Sequence, residues 1–150
     1  MAIVRMTERA RDVIELARRE AEDLRHDHVG TEHVLIGVLR DGGGIAAKLT
    51  QQLGIKINQI RKGVSMLNPA TAHGAASHGQ LTFSDRLRTA IKSAEETARQ
   101  LGHEDVGIAH LFLGLTEDGQ SKASLLLINL GLDVKATRSL ILESLSAKGT

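Results

Sequence analysis

The chain has no cysteine, tryptophan or tyrosine, and only one proline and two phenylalanines in 150 residues. Without cysteine there is no disulfide, thiol nucleophile, iron–sulfur cluster or cysteine-bound zinc. A net charge of +1 and so few rings leave neither the basic face nor the stacking platform of a nucleic-acid binder, so no nucleic-acid partner is expected. No apolar run approaches the ~20 residues of a membrane span, so no membrane partner is expected either. The opening Met1-Ala2-Ile3-Val4-Arg5 lacks the apolar stretch of a signal peptide and points to the cytoplasm. What remains is an ordinary globular composition, 41 % hydrophobic and 25 % charged, long enough to bury a real core.

The main organising feature is a repeat. Shifting the sequence by 77 residues aligns 6–67 with 83–144 without a gap, and 18 of the 62 pairs are identical. Among them are Arg9/Arg86, His26/His103, Gly30/Gly107, His33/His110, Gly37/Gly114 and Asp41/Asp118. Two units of this size are not a solenoid, which needs at least three repeats. The expectation is one domain over 1–150, built of two copies related by a pseudo-twofold axis. Residues 68–82 hold the only proline and are rich in Gly, Ala and Ser, so they read as a flexible linker.

Each copy reads as four helices. Thr7 and Ser84 are good N-caps. After Thr7, apolar residues recur at Ala10, Val13, Ile14, Ala17, Ala21 and Leu24 with helical spacing. Thr31 is expected to cap a second helix carrying Val34, Leu35, Val38 and Leu39, which stops at Asp41-Gly42-Gly43-Gly44. A third helix is expected at about 45–53 and a fourth at 57–67. Copy two repeats them at about 85–101, 108–117, 121–130 and 134–146. Alternating β-branched runs are absent, so no strand is expected. The fold class is all-α, a duplicated four-helix repeat of about eight helices.

Catalytic and cofactor motifs do not stand out. Gly42-Gly43-Gly44 is followed by Ile45-Ala46-Ala47-Lys48, not by the Gly-Lys-Ser/Thr of a phosphate loop, so no nucleotide affinity is expected. The histidines recur as repeat mates, just after a first helix (His26, His103) and in a first helical turn (His33, His110), which favours a structural role over a metal site. No Ser, His and acid stand in a nucleophile context. The chain reads as no enzyme, with no cofactor and no metal.

The copies differ informatively at Thr31-Glu32, where copy two has Ile108-Ala109. An acid and a hydroxyl at a helix start can hold a guanidinium by its N–H fork and an anion on free backbone donors. They can equally do no more than cap the helix, with Glu32 a surface acid. The starts of the two first helices form a second candidate. Met6 and Phe83, with Ile3 or Val4, would make an apolar patch flanked by Arg11 and Arg88, suited to peptide binding; the same residues could be simple hydrophobic staples. Phe112, inside an apolar helical run, is expected to be buried.

These residues carry a family likeness. Leu24-x-His26-x-x-Val29-Gly30-Thr31-Glu32-His33, then Leu35-Ile36-Gly37-Val38-Leu39 and Gly42-x-Gly44-Ile45-Ala46-Ala47, resemble the Clp N-terminal (Clp repeat) domain, most like the N-domain of ClpC-type AAA+ unfoldases, over about residues 5–146. The resemblance implies an eight-helix globule that recruits protein substrates or adaptors to a AAA+ Clp unfoldase and its ClpP protease partner. It also implies a reader of phosphorylated arginine at Glu32, with Thr31 and Thr7. Its exposed hydrophobic site, in actinobacterial members a target of cyclic-peptide antibiotics, would map to Phe83 with Ile3, Met6, Arg11 and Arg88. The family's second Thr-Glu-His is replaced here by Ile108-Ala109-His110, and its Phe near the chain start by Ile3 and Met6. No ATPase motif lies within the 150 residues, which fits either an N-domain from a longer protein or a free-standing homologue acting as adaptor, decoy or docking subunit.

Overall fold

The computed structural model describes residues 5–41, 43–67 and 81–148. Its helices are α1 (Glu8–Asp23), α2 (Thr31–Asp41), α3 (Gly44–Ala47), α4 (Ile57–Leu67), α5 (Asp85–Gln100), α6 (Ile108–Glu117), α7 (Lys122–Asn129) and α8 (Val134–Lys148). The fold is all-α. Thr7 and Ser84 cap α1 and α5, their hydroxyls accepting the N–H groups of Ala10 and Leu87 at 3.1 Å. Each side-chain cap satisfies one of the orphan donors at a helix start.

The core follows from apolar patterning. α1 buries Ala10, Val13, Ala17 and Ala21 on one stripe against α2, and α5 repeats this with Leu87, Ala90, Ile91, Ala94 and Ala98 against α6. The partner helices are buried nearly all round: Thr31 to Leu39 in α2, and His110 to Thr116 in α6. These two central helices touch each other, and Phe112 is fully buried as expected. Gly37 and Gly114 are where the outer helices cross them. A Cβ on Gly37 would press on the Val13 backbone carbonyl, and one on Gly114 on that of Ala90.

Three features depart from the sequence reading. No strand is expected, yet β1 (His28–Val29) and β2 (Thr82–Phe83) pair in parallel, and Met6 forms a matching isolated bridge with Val106. These pairings are too short to show periodicity. They tie the start of each copy to a loop of the other. The expected linker lies outside the described residues as far as 80, but Leu81 is buried and Thr82 is already in β2. Finally, the expected third helix breaks: α3 ends at Ala47 and the chain continues as a π-helical turn, Lys48–Gln52. There the Thr50 hydroxyl donates to the Ala46 carbonyl at 2.7 Å, competing with the backbone ladder and loosening the turn.

Candidate functional site

The loop before each central helix is held by a pair of histidines. Gly30, not Thr31, is the N-cap of α2: its carbonyl accepts the N–H groups of His33 and Val34. The Gly30 N–H donates to His33 Nδ1 at 2.8 Å, and His33 Nε2 lies 2.7 Å from His26 Nδ1. His33 thus fills the place that Glu or Gln takes in a capping box. Copy two repeats the arrangement, with Gly107 N–H to His110 Nδ1 at 2.8 Å and His110 to His103 at 2.9 Å. Because Nδ1 of each capping histidine accepts, its proton sits on Nε2 and is donated to the second ring. A second proton would point at the glycine N–H. Burial, then the neighbouring His26, His28 and Lys122, bring His33 down from its ordinary value to about 3. Burial also lowers His110, reinforced by His103. His26 and His103 each meet the capping histidine of their own copy.

With the cap supplied by His33, Thr31 and Glu32 are released for other contacts. The Thr31 hydroxyl accepts the N–H of Ala123 in α7 at 3.2 Å. Glu32 is not a surface acid: it is 2 % exposed, and Oε2 lies 3.7 Å from Nζ of Lys122. Its carboxylate folds back over Gly30, and a Cβ there would overlap it. Glu20, the other buried acid among the described residues, is held by Arg40 at 3.1 Å and Arg61 at 2.5 Å. Glu20 is fixed within the helix packing, whereas Glu32 faces a cleft.

That cleft has a volume of about 360 Å³ and is lined by Thr31, Glu32, Ser84, Arg86, Gln120 and Lys122, among others. Ser84 and Arg86 come from the start of α5, which the β1–β2 pairing brings to α2. Their repeat mates Thr7 and Arg9 serve the other copy: the Thr7 N–H donates to the Val106 carbonyl at 2.9 Å. Thr7 therefore does not join Thr31 and Glu32. The β bridges cross between copies, and Ser84 stands where Thr7 was expected.

The opposite cleft, about 170 Å³, is lined by Arg9, Gly43, Ile45, Lys48, Ile108 and Ala109, with α8 residues beside them. These six are repeat mates of Arg86, Gln120, Lys122, Leu125, Thr31 and Glu32 in the first cleft. Two ion pairs occupy equivalent places, Arg9 with Asp41 and Arg86 with Asp118. The pair Glu32–Lys122 has become Ala109–Ile45. Sequence reasoning missed Arg86, Gln120 and Lys122. Their signal lay in the repeat, because position 45/122 changes chemistry together with 32/109.

The proposed hydrophobic patch is arranged differently. Met6 and Phe83 are half-buried and lie in separate bridges, to Val106 and Val29. The Arg18 guanidinium sits 5.8 Å from the Phe83 ring centroid, within cation–π range. Arg11 donates to the Met6 carbonyl and Arg88 pairs with Asp85. None of the four lines either cleft. Ile3 lies outside the described residues.

The fold and its clefts define a duplicated helical domain with one charged and one apolar pocket at equivalent places. The Clp repeat (R) N-terminal domain matches it at residues 5–130 and 82–149. The chain is 38 % identical over its full length to the Negative regulator of genetic competence ClpC/MecB of Bacillus subtilis, and 36 % identical over 98 % of its length to the Chaperone protein ClpB of Oceanobacillus iheyensis. It spans 18 % of each of those relatives. The N-terminal domain of the chaperone ClpD from Arabidopsis thaliana superposes with a TM-score of 0.75 at 24 % identity, covering 94 % of both chains. The ClpV N-domain in its complex with VipB peptide gives 0.70 at 17 % identity, covering 93 % of this chain and 88 % of that one. The chain belongs to the Clp N-terminal (Clp repeat) domain family.

Proposed function

We propose that this domain is a non-enzymatic recognition module of the Clp protease system, binding degradation-marked proteins or adaptors, and that the charged cleft reads phosphorylated arginine. One observation carries the second part. A buried carboxylate, Glu32, faces a cleft that also holds the guanidinium of Arg86 and the ammonium of Lys122. Phosphoarginine carries the complementary pair: its guanidinium group would replace Lys122 at the Glu32 carboxylate, and its phosphate would take Lys122 and draw Arg86 from Asp118. The complex of the related ClpV N-domain with VipB peptide supports peptide recognition in this fold.

The competing reading is a regulatory subunit or decoy that docks on a Clp complex without reading substrates. Binding of one peptide, synthesised with arginine or with phosphoarginine, separates the two. A substrate reader retains only the phosphorylated form. A docking subunit co-purifies with a Clp unfoldase whether or not modified protein is present, and ignores the phosphate.

A further inference from the structure

The apolar cleft is an altered counterpart of the charged one. Where the charged cleft has Thr31, Glu32 and Lys122, this one has Ile108, Ala109 and Ile45, and α8 adds Ile141 and Leu145. A guanidinium placed here would find no Glu32 counterpart, since Ala109 stands at that position. The wall is aliphatic, and its volume, about 170 Å³, suits one side chain; an apolar cavity of about 150 Å³ accepts a benzene ring. The net charge of the lining is positive. Lys48 is half-buried at the cleft and has no ion pair among the described residues, while Arg9 and Asp41 offset each other. Its repeat mate in the charged cleft is Leu125, so the cation stands three residues further along the same helical stretch than Lys122 does in the charged cleft.

We infer that this cleft binds a protein segment presenting an aliphatic side chain beside a carboxylate, the side chain entering between Ile45, Ile108 and Leu145 and the carboxylate meeting Lys48. The two clefts would thus recognise unlike features, one a modified arginine and the other an unmodified apolar–acidic motif. The inference does not depend on phosphoarginine occupying the first.

The test is a backbone-amide NMR titration of the domain with the peptide Gly-Ser-Leu-Glu-Gly-Ser, capped at both ends. The expected result is a saturable set of shifts centred on Ile45, Lys48, Ile108 and Ala109. Replacing the peptide Leu by Ala, or its Glu by Gln, should weaken binding at least fivefold. Ala109→Glu, which restores the acid of the other copy, and Lys48→Glu, a rim change that leaves the core alone, should each weaken it at least tenfold. Glu32→Gln should leave it unchanged. Shifts centred on Glu32, equal affinity for the Leu and Ala peptides, or no saturable shifts would overturn the inference. So would concentration-dependent dimerisation through this face without peptide, because the occupant would then be a second copy of the chain.

Discussion

At the scale of single residues, the capping histidines make an experimental claim about pH. His33 is held near 3, below its unfolded value of 6.5, because burial disfavours its charged form and His26, His28 and Lys122 add to that. The unfolded chain therefore binds the proton first. The stability supplied by neutral His33 is fully present above pH 6.5 and declines as pH falls toward 3. We expect chemical denaturation to show a loss on the order of a few kcal/mol between pH 7 and 4. His33→Asn, whose carbonyl can accept the same N–H without titrating, should flatten that slope by about one proton. An unchanged slope would mean that other groups carry it. Gly30 gives a second prediction. A Cβ there overlaps the Glu32 carboxylate, while one on Gly107 meets His110 Nδ1 and Thr7 Cγ2 at ordinary distances of 3.7 and 3.8 Å. Gly30→Ala should abolish phosphoarginine binding, and Gly107→Ala should leave both binding and melting temperature nearly unchanged. Sequence alone placed Glu32 at a helix start. It did not show the burial, because a first-turn acid is ordinarily solvated, whereas this one lies over Gly30 with Lys122 at the start of α7 beside it.

At the scale of elements, the identical repeat positions turn out to be fittings between helices. Arg9 and Arg86 pair with Asp41 and Asp118 at the ends of the central helices. Gly37 and Gly114 let each outer helix approach its partner's backbone. The mates Arg25 and Gly102, though not identical, take the same left-handed turn after α1 and α5, with φ of 62° and 75°. The helix crossings are the most sensitive of these. Gly37→Ala or Gly114→Ala must push backbone against backbone, which no side-chain rotation relieves. Each should cost about 1–3 kcal/mol, measurable as a lower denaturation midpoint with the helical spectrum retained. Helix positions were legible because the 3.6-residue stripes of α1 and α5 are unbroken. The π-helical turn after α3 was not, since the Thr50–Ala46 hydrogen bond that accompanies it leaves no periodic trace.

At the scale of the molecule, the duplication both fixes the fold and distributes the clefts. The short parallel pairings, β1 with β2 and Met6 with Val106, cross from one copy to the other, so each cleft is built from both halves. That crossing was not legible from helical periodicity, and it places Thr7 beside Gly107 and Arg86 beside Thr31 and Glu32. The difference between the copies was legible as Thr31-Glu32 against Ile108-Ala109, and the structure extends it to Lys122 against Ile45. A module with two like pockets would gain avidity for doubly marked ligands; one with unlike pockets gains it only for ligands carrying both features.

The central claim is that the charged cleft alone accepts phosphoarginine. Calorimetric titration of the domain with free phosphoarginine measures it directly. The account predicts one ligand per chain. Binding should fall at least tenfold in Glu32→Gln, which keeps the side chain's shape while removing a charge-assisted hydrogen bond worth about 1.5–3 kcal/mol. Two equivalent ligands per chain, or undiminished binding in Glu32→Gln, would contradict it.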